Sequence, residues 1–109
     1  MPCSLTLSLS HSRATLVSIQ VLDAAEAIDR VGAKAARAKI SVAKVYAPRA
    51  VLKIIDRVIQ VHGGKGVSDK IPLAAMYASV RTLRLADGPD HVHLRTIAKE
   101  ELRRSTSKL

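Results

Sequence analysis

Asp87 sits between two amphipathic helical patterns, in the run Leu85-Ala86-Asp87-Gly88-Pro89-Asp90. One helix upstream lies a second run, Gln60-Val61-His62-Gly63-Gly64-Lys65-Gly66. A partly buried carboxylate at a helix junction can act as a general base when its surroundings tune its pKa. Consecutive glycines let backbone N–H groups approach a phosphate closely. Together the two runs suggest proton abstraction beside a nucleotide cofactor. Each also has a plainer reading. Glycine after a long helix is a common C-cap, and Asp before Gly-Pro at a helix start is an ordinary capping choice. The glycine run is not a Walker loop, because the spacing and the Lys-Ser/Thr pair are missing, and no strand precedes it as a Rossmann turn requires. His62, His91 and His93 do not form a metal set. His91 and His93 are two apart and point in different directions on a helix. No acidic or Cys partner stands at ligand spacing.

The elements that must hold these residues read as helices. Val17, Val21, Ala24, Ala25, Ile28 and Val31 recur at helical spacing and predict a helix from about Thr15 to Val31, stopped by Gly32. The next pattern runs from about Ala33 to Val61. Ala35, Ala38, Val42 and Val45 form one stripe, and Leu52, Ile55 and Ile59 continue it. Pro48 predicts a kink there or a split into two helices. A third helix is expected from about Pro72 to Leu85, with Ser68 and Asp69 as cap candidates and Leu73, Met76, Tyr77, Val80 and Leu83 on its apolar face. A fourth is expected from about Pro89 to Arg104, with Leu94, Ile97, Ala98 and Leu102 facing inward. No strand alternation competes, so the expected fold is all-α, an antiparallel helical bundle that makes up part of a domain.

Length and composition narrow the partners. At 109 residues there is room for one domain or part of one. Phe and Trp are absent and Tyr46 and Tyr77 are the only aromatics, so base stacking on aromatic platforms is not supported. The net charge is +9. Such a balance favours an anionic partner or marks a solvated basic surface. Lys and Arg are dispersed along the chain, so no nucleic-acid partner is expected. Cys3 has no possible internal disulfide partner. No apolar run approaches the roughly 18 residues of a membrane span. Residues 1–14 are expected to be a disordered lead-in, residues 15–104 the helical domain and residues 105–109 a tail. That tail ends in Ser107-Lys108-Leu109, the tripeptide read by the peroxisomal import receptor. The expected location is therefore the peroxisome, with mitochondrion or cytosol as the alternatives.

The runs Gln60 to Val67, Pro72-Leu73 and Arg84 to Leu94 resemble, in order and spacing, the C-terminal helical domain of the acyl-CoA dehydrogenases. The likeness extends over roughly Leu16 to Leu102. It is closest to the branch with Ala-Asp-Gly-Pro at the base position, which includes plant peroxisomal proteins of the indole-3-butyric acid response, and Lys44 to Ala50 is also similar to that branch. The resemblance implies FAD as cofactor and a fatty acyl-CoA thioester as substrate. A carboxylate would remove the α-proton while the β-hydrogen leaves as hydride to the flavin, giving a trans-2-enoyl-CoA. By position Asp87 would be the base, with its backbone N–H on the thioester carbonyl, a bond that strengthens as enolate charge grows. Gly88 would let substrate approach. Gln60, His62, Gly63 and Gly64 would touch the adenosine diphosphate part of FAD, often that of a neighbouring subunit. Pro89 and His91 would fall beside the flavin.

The chain also departs from the family pattern. Asp is one methylene shorter than the Glu of better-known members. Pro89 offers neither the hydroxyl nor the N–H of the family's Thr, and Ala78-Ser79 stands where an Arg-Asp pair is common. The family's N-terminal helical and middle β-domains have no counterpart here. The expectation is a fragment of an acyl-CoA dehydrogenase that is inactive alone and joins either a homo-oligomer or the missing domains. Two other readings stand beside it: a peroxisomal acyl-CoA oxidase and a non-catalytic helical self-association module.

Overall fold

The computed structural model describes residues 3–107 of the chain. Those residues form four α-helices: α1 (Cys3–Val31), α2 (Arg37–His62), α3 (Leu73–Thr82) and α4 (Asp90–Thr106). A 3-10 turn, Gly63–Val67, follows α2 directly. No strand occurs among the described residues. The helix α2 is the hub: α1, α3, α4 and the 3-10 turn all pack on it.

Helix α1 starts well before Thr15, so the segment expected as a disordered lead-in is helical from Cys3 onward. Its hydroxyl-bearing residues do not break the helix, because they turn back onto it. Ser12, Thr15 and Ser18 donate to the carbonyls of Ser8, His11 and Ala14, four residues earlier, at 2.9, 3.1 and 3.2 Å. The helix ends as expected at Gly32, whose φ of +81° suits glycine and whose N–H donates to Ile28 O at 2.8 Å.

Helix α2 neither splits nor stops at Pro48. Five of its six buried residues, Ser41, Val45, Pro48, Leu52 and Ile55, step by four and three, one continuous seam against the neighbouring helices, with Ala50 beside it. Pro48 lies inside that seam, so packing compensates the helix hydrogen bond its missing N–H would make to Lys44 O. The seam is also displaced from the expected stripe. Ala36 and Ser41 are buried, while Ala35 and Val42 are exposed. A buried serine is invisible to an apolar count, and its hydroxyl has a partner on α4.

Helices α3 and α4 are more exposed than their patterns predict. Helix α3 buries none of its residues, and α4 buries only Asp90. Leu94 and Leu102, expected to face inward, are 39% and 68% exposed. Ser68 does not cap α3 but closes the 3-10 turn before it. Its hydroxyl donates to Lys65 O at 2.8 Å and accepts from Lys70 N–H at 3.3 Å, closing the turn ahead of α3. Pro72 takes the cap position, and its carbonyl accepts from Met76 N–H at 2.8 Å.

The core is small. Ala24, Ala36, Val45, Ala50, Leu52 and Ile55 form it, half of them alanines that let helix backbones approach closely. The accessible surface is 7976 Å², against about 5,900 Å² for a compact monomer of this mass. The radius of gyration, 17.0 Å, exceeds the roughly 13 Å of a compact chain of this length. This is an elongated molecule, 54 × 30 × 25 Å, with apolar helix faces left open.

Candidate functional site

Asp87 lies on an exposed turn between α3 and α4, and its backbone is unusual. With φ +53° it is the one non-glycine residue in the left-handed region among the described residues. That conformation follows from how α3 ends. After Thr82 the chain tightens: the N–H groups of Leu83, Arg84 and Leu85 donate three residues back, to Val80, Arg81 and Thr82. Ala86 N–H also reaches Thr82 O, at 2.9 Å. Asp87 N–H has no backbone acceptor among the described residues. Gly88, at φ +100°, and Pro89, in extended backbone, then redirect the chain into α4.

The carbonyls of this turn need donors, and Pro89 has no N–H to give. Side chains from two other elements supply them. Lys44, on α2, donates through Nζ to Leu83 O at 2.7 Å and to Ala86 O at 2.8 Å. His93, on α4, places Nε2 at 3.2 Å from Asp87 O. Its ring occupies the space where a Gly88 side chain would begin: a Cβ there would lie 3.1 Å from Nε2. The far nitrogen of the ring, Nδ1, lies 3.3 Å from the hydroxyl of the buried Ser41.

The two ends of the turn are tied by charge. Asp90, at the start of α4, is 7% exposed and receives two arginines on one carboxylate oxygen. Arg84, three residues before Asp87, approaches through Nη2 at 2.7 Å and Nε at 2.9 Å. Arg49, from α2, approaches through Nη2 at 2.9 Å and Nε at 3.0 Å. Burial alone would raise the Asp90 carboxyl, but hydrogen bonds and charge from Arg84 and Arg49 outweigh it and hold the group below its ordinary value. Asp90 also sits where the α4 dipole favours an anion. The buried, paired carboxylate is thus Asp90, and the exposed one is Asp87. Sequence reasoning passed over this clamp and Lys44. Opposite charges three residues either side of Asp87 were a usable signal. The long-range lysine left none.

The glycine turn is a separate place. It contacts α2 and α3 and makes no close approach to α4 among the described residues. Gly63 adopts φ +59°, and a Cβ on Gly63 or Gly64 would meet nothing within 4 Å. Gly66 is different: a Cβ there would come within 2.7 Å of Ile59 O, so this glycine lets the turn lie on α2. Gln60 and His62 are both exposed. His62 Nδ1 lies 2.9 Å from Val58 O, which assigns the proton to Nδ1 and leaves Nε2 as an acceptor. Gly64, Lys65, Ser68 and Lys70 line an open cleft beside this turn. Two ammonium groups and an uncovered glycine backbone form a donor set that fits a diphosphate. Lys65, Ser68 and Lys70 were not assigned from sequence. Pro89 and His91 are exposed near the start of α4, away from this cleft and close to Asp87 in sequence. Among the described residues no three His, Cys, Asp or Glu side chains converge as metal ligands, and no helix is long and apolar enough to cross a membrane.

Comparison with known proteins gives this geometry a context. Residues 6–102 match the family model described as the acyl-CoA dehydrogenase C-terminal domain, a match that starts inside the segment expected as a lead-in. Acyl-CoA dehydrogenase family member 11 of Rattus norvegicus is 55% identical over 103 residues, which cover 93% of this chain and 13% of the relative. A "probable acyl-CoA dehydrogenase" of Arabidopsis thaliana is 54% identical over 86 residues, 79% of this chain and 10% of the relative. A solved Mycobacterium abscessus structure, described as that of a "putative acyl-CoA dehydrogenase", superposes with a TM-score of 0.93 at 38% identity, covering 96% of this chain and 26% of that one. The chain thus spans about an eighth of the animal relative it matches. By the family match and by the fold, the chain belongs to the acyl-CoA dehydrogenase family and carries part of its C-terminal helical domain.

Proposed function

We propose that this chain supplies the catalytic base and part of the flavin-contacting surface of an acyl-CoA dehydrogenase that desaturates acyl-CoA thioesters between the α and β carbons. The observation that carries this reading is the Asp87 turn, an exposed carboxylate on a strained backbone whose ends and carbonyls are fixed by five side chains, those of Lys44, Arg49, Arg84, Asp90 and His93. A left-handed non-glycine residue costs on the order of 1–3 kcal/mol, and such residues cluster at functional sites. The Asp87 carboxylate takes the α-proton. Its N–H, without a backbone acceptor among the described residues, donates to the thioester carbonyl and stabilises the charge that grows there. Pro89 and His91 face the flavin side of the turn.

The cleft at Gly64, Lys65, Ser68 and Lys70, with Gln60, His62 and Gly63 beside it, holds the diphosphate part of FAD. Bound FAD accepts the two electrons of the desaturation. In keeping with the family resemblance, we read the two surfaces as serving different cofactor molecules, each in a different copy of an oligomer. The isolated chain is then inactive, because each site needs surfaces this chain does not contain. With the tripeptide Ser107-Lys108-Leu109, of which Lys108 and Leu109 lie outside the described residues, the proposed location is the peroxisome.

The test is a graft. The rat relative carries residues 6–102 of this chain in place of its own matching segment, and acyl-CoA oxidation is followed with a dye acceptor. A graft that retains flavin and oxidises acyl-CoA, and loses turnover by several orders of magnitude as Asp87→Asn, fits the reading. A flavin-replete graft that leaves every acyl-CoA length unoxidised ends it. Hydrogen peroxide released during turnover without the dye would favour the oxidase alternative.

A further inference from the structure

We propose that His93 is a positioning residue for Asp87, holding the Asp87 backbone through Nε2–H while Ser41 fixes the ring through Nδ1; the proposal rests on the reading of Asp87 as the base. The turn has a specific deficit. Its left-handed residue is not glycine, so the conformation must be held by contacts. The next residue but one is Pro89, so no backbone N–H from that position reaches back to the Asp87 carbonyl. The His93 ring fills the gap at 3.2 Å, from one turn inside α4.

Three features show how the ring is made to do this. A carbonyl only accepts, so the proton between them sits on Nε2. A neutral imidazole with its proton on Nε2 must accept at Nδ1, and the Ser41 hydroxyl, 3.3 Å away, can donate there. Ser41 is 2% exposed within the α2 seam, a place where an unpaired hydroxyl is costly, so the pairing is enforced from both sides. Third, the ring packs tightly against Gly88, where a Cβ would fall 3.1 Å from Nε2 and press on the ring. A chain of contacts therefore runs from the bundle core through Ser41 and His93 to the residue read as the base. His93 touches neither substrate nor cofactor in this account. It sets where the carboxylate and the Asp87 N–H stand.

Two substitutions separate the ring's nitrogens. In His93→Gln the side-chain amide reaches the place of Nε2 and can still donate to Asp87 O. In His93→Asn it reaches only the place of Nδ1. In the 109-residue chain, backbone NMR signals and amide exchange of Asp87 and Gly88 should stay near the parent in His93→Gln and move in His93→Asn. Helix content and melting temperature should be alike in the two variants. In the graft, with flavin content unchanged, His93→Asn should lower kcat on the order of ten- to a hundredfold, the cost of a displacement of about 1 Å, with little change in KM. His93→Gln should restore most of that loss. Equal disturbance of Asp87 by both variants, or none by His93→Asn, overturns the proposal. The Asp87→Asn graft separates the two failures. If it keeps its turnover, the base reading falls and the positioning role falls with it. If it is inactive while His93→Asn turns over at the parent rate, only the His93 proposal falls.

Discussion

Asp90 and Asp87 stand three residues apart and have opposite surroundings. Asp90 is buried under two arginines, while Asp87 is exposed on strained backbone. Asp90 therefore carries stability, and on the proposed reading Asp87 is left for chemistry. Replacing Asp90 by Asn keeps the shape but leaves Arg49 and Arg84 facing each other without an anion. Because both arginines keep partial contact with water, the expected loss is about 1–3 kcal/mol, below the range for a fully buried pair. The acid dependence follows from the direction of the pKa. Its folded-state value is lowered, so the stabilisation is fully present above the unfolded carboxyl value and is lost as pH falls through the folded one. Thermal unfolding measured from about pH 6 downward should show stability falling from around pH 4, and Asp90→Asn should flatten part of that fall. An unchanged slope in the variant would assign the acid sensitivity to other carboxylates. Gly88→Ala is the companion test: a Cβ at φ +100° and 3.1 Å from His93 should cost about 1 kcal/mol or more in melting experiments.

At the level of elements, the glycine turn separates structure from ligand contact within four residues. Gly66 lies on the backbone of Ile59, so Gly66→Ala must lift the turn off α2 and should destabilise the chain by about 1–3 kcal/mol. Gly64 has open space around its Cβ position, so Gly64→Ala should leave the melting temperature nearly unchanged while weakening FAD retention in the graft. A Gly64→Ala graft with full flavin content would remove Gly64 from the proposed diphosphate surface. The elements also show what a sequence can disclose. Helical periodicity disclosed all four helices and the Gly32 stop, because spacing of apolar residues reports one face directly. It found Val45, Leu52 and Ile55 of the α2 seam but missed Ser41 and Pro48, since neither counts as an apolar knob. It started α1 too late, because serines that bond back to their own helix look like loop formers in a string of letters. The motif residues around Asp87 were legible because they are contiguous. Lys44 and Ser41 were not, because their partners are more than thirty positions away.

The whole molecule exposes about 2,000 Å² more surface than a compact chain of its mass, and much of that surface is apolar: Leu22, Val31, Val61, Leu85 and Leu102 are each more than 60% exposed. Stripes on α3 and α4 that periodicity assigned to a core are only partly covered by α2, and none of their apolar residues is buried. The chain covers 26% of the solved Mycobacterium abscessus protein, and the parts outside that match are the natural candidates to cover them. Left alone, such faces should associate with copies of themselves. The net charge of +9 opposes that association, and salt screens the repulsion, with a Debye length of about 30 Å at 0.01 M falling to about 10 Å at 0.1 M. Sedimentation of the isolated chain should therefore show self-association that strengthens as salt is raised. Association that weakens with salt would point instead to attraction between charges. A dispersed monomer with a sharp thermal transition at both salt levels would mean that this small core suffices, and that the exposed stripes need no partner.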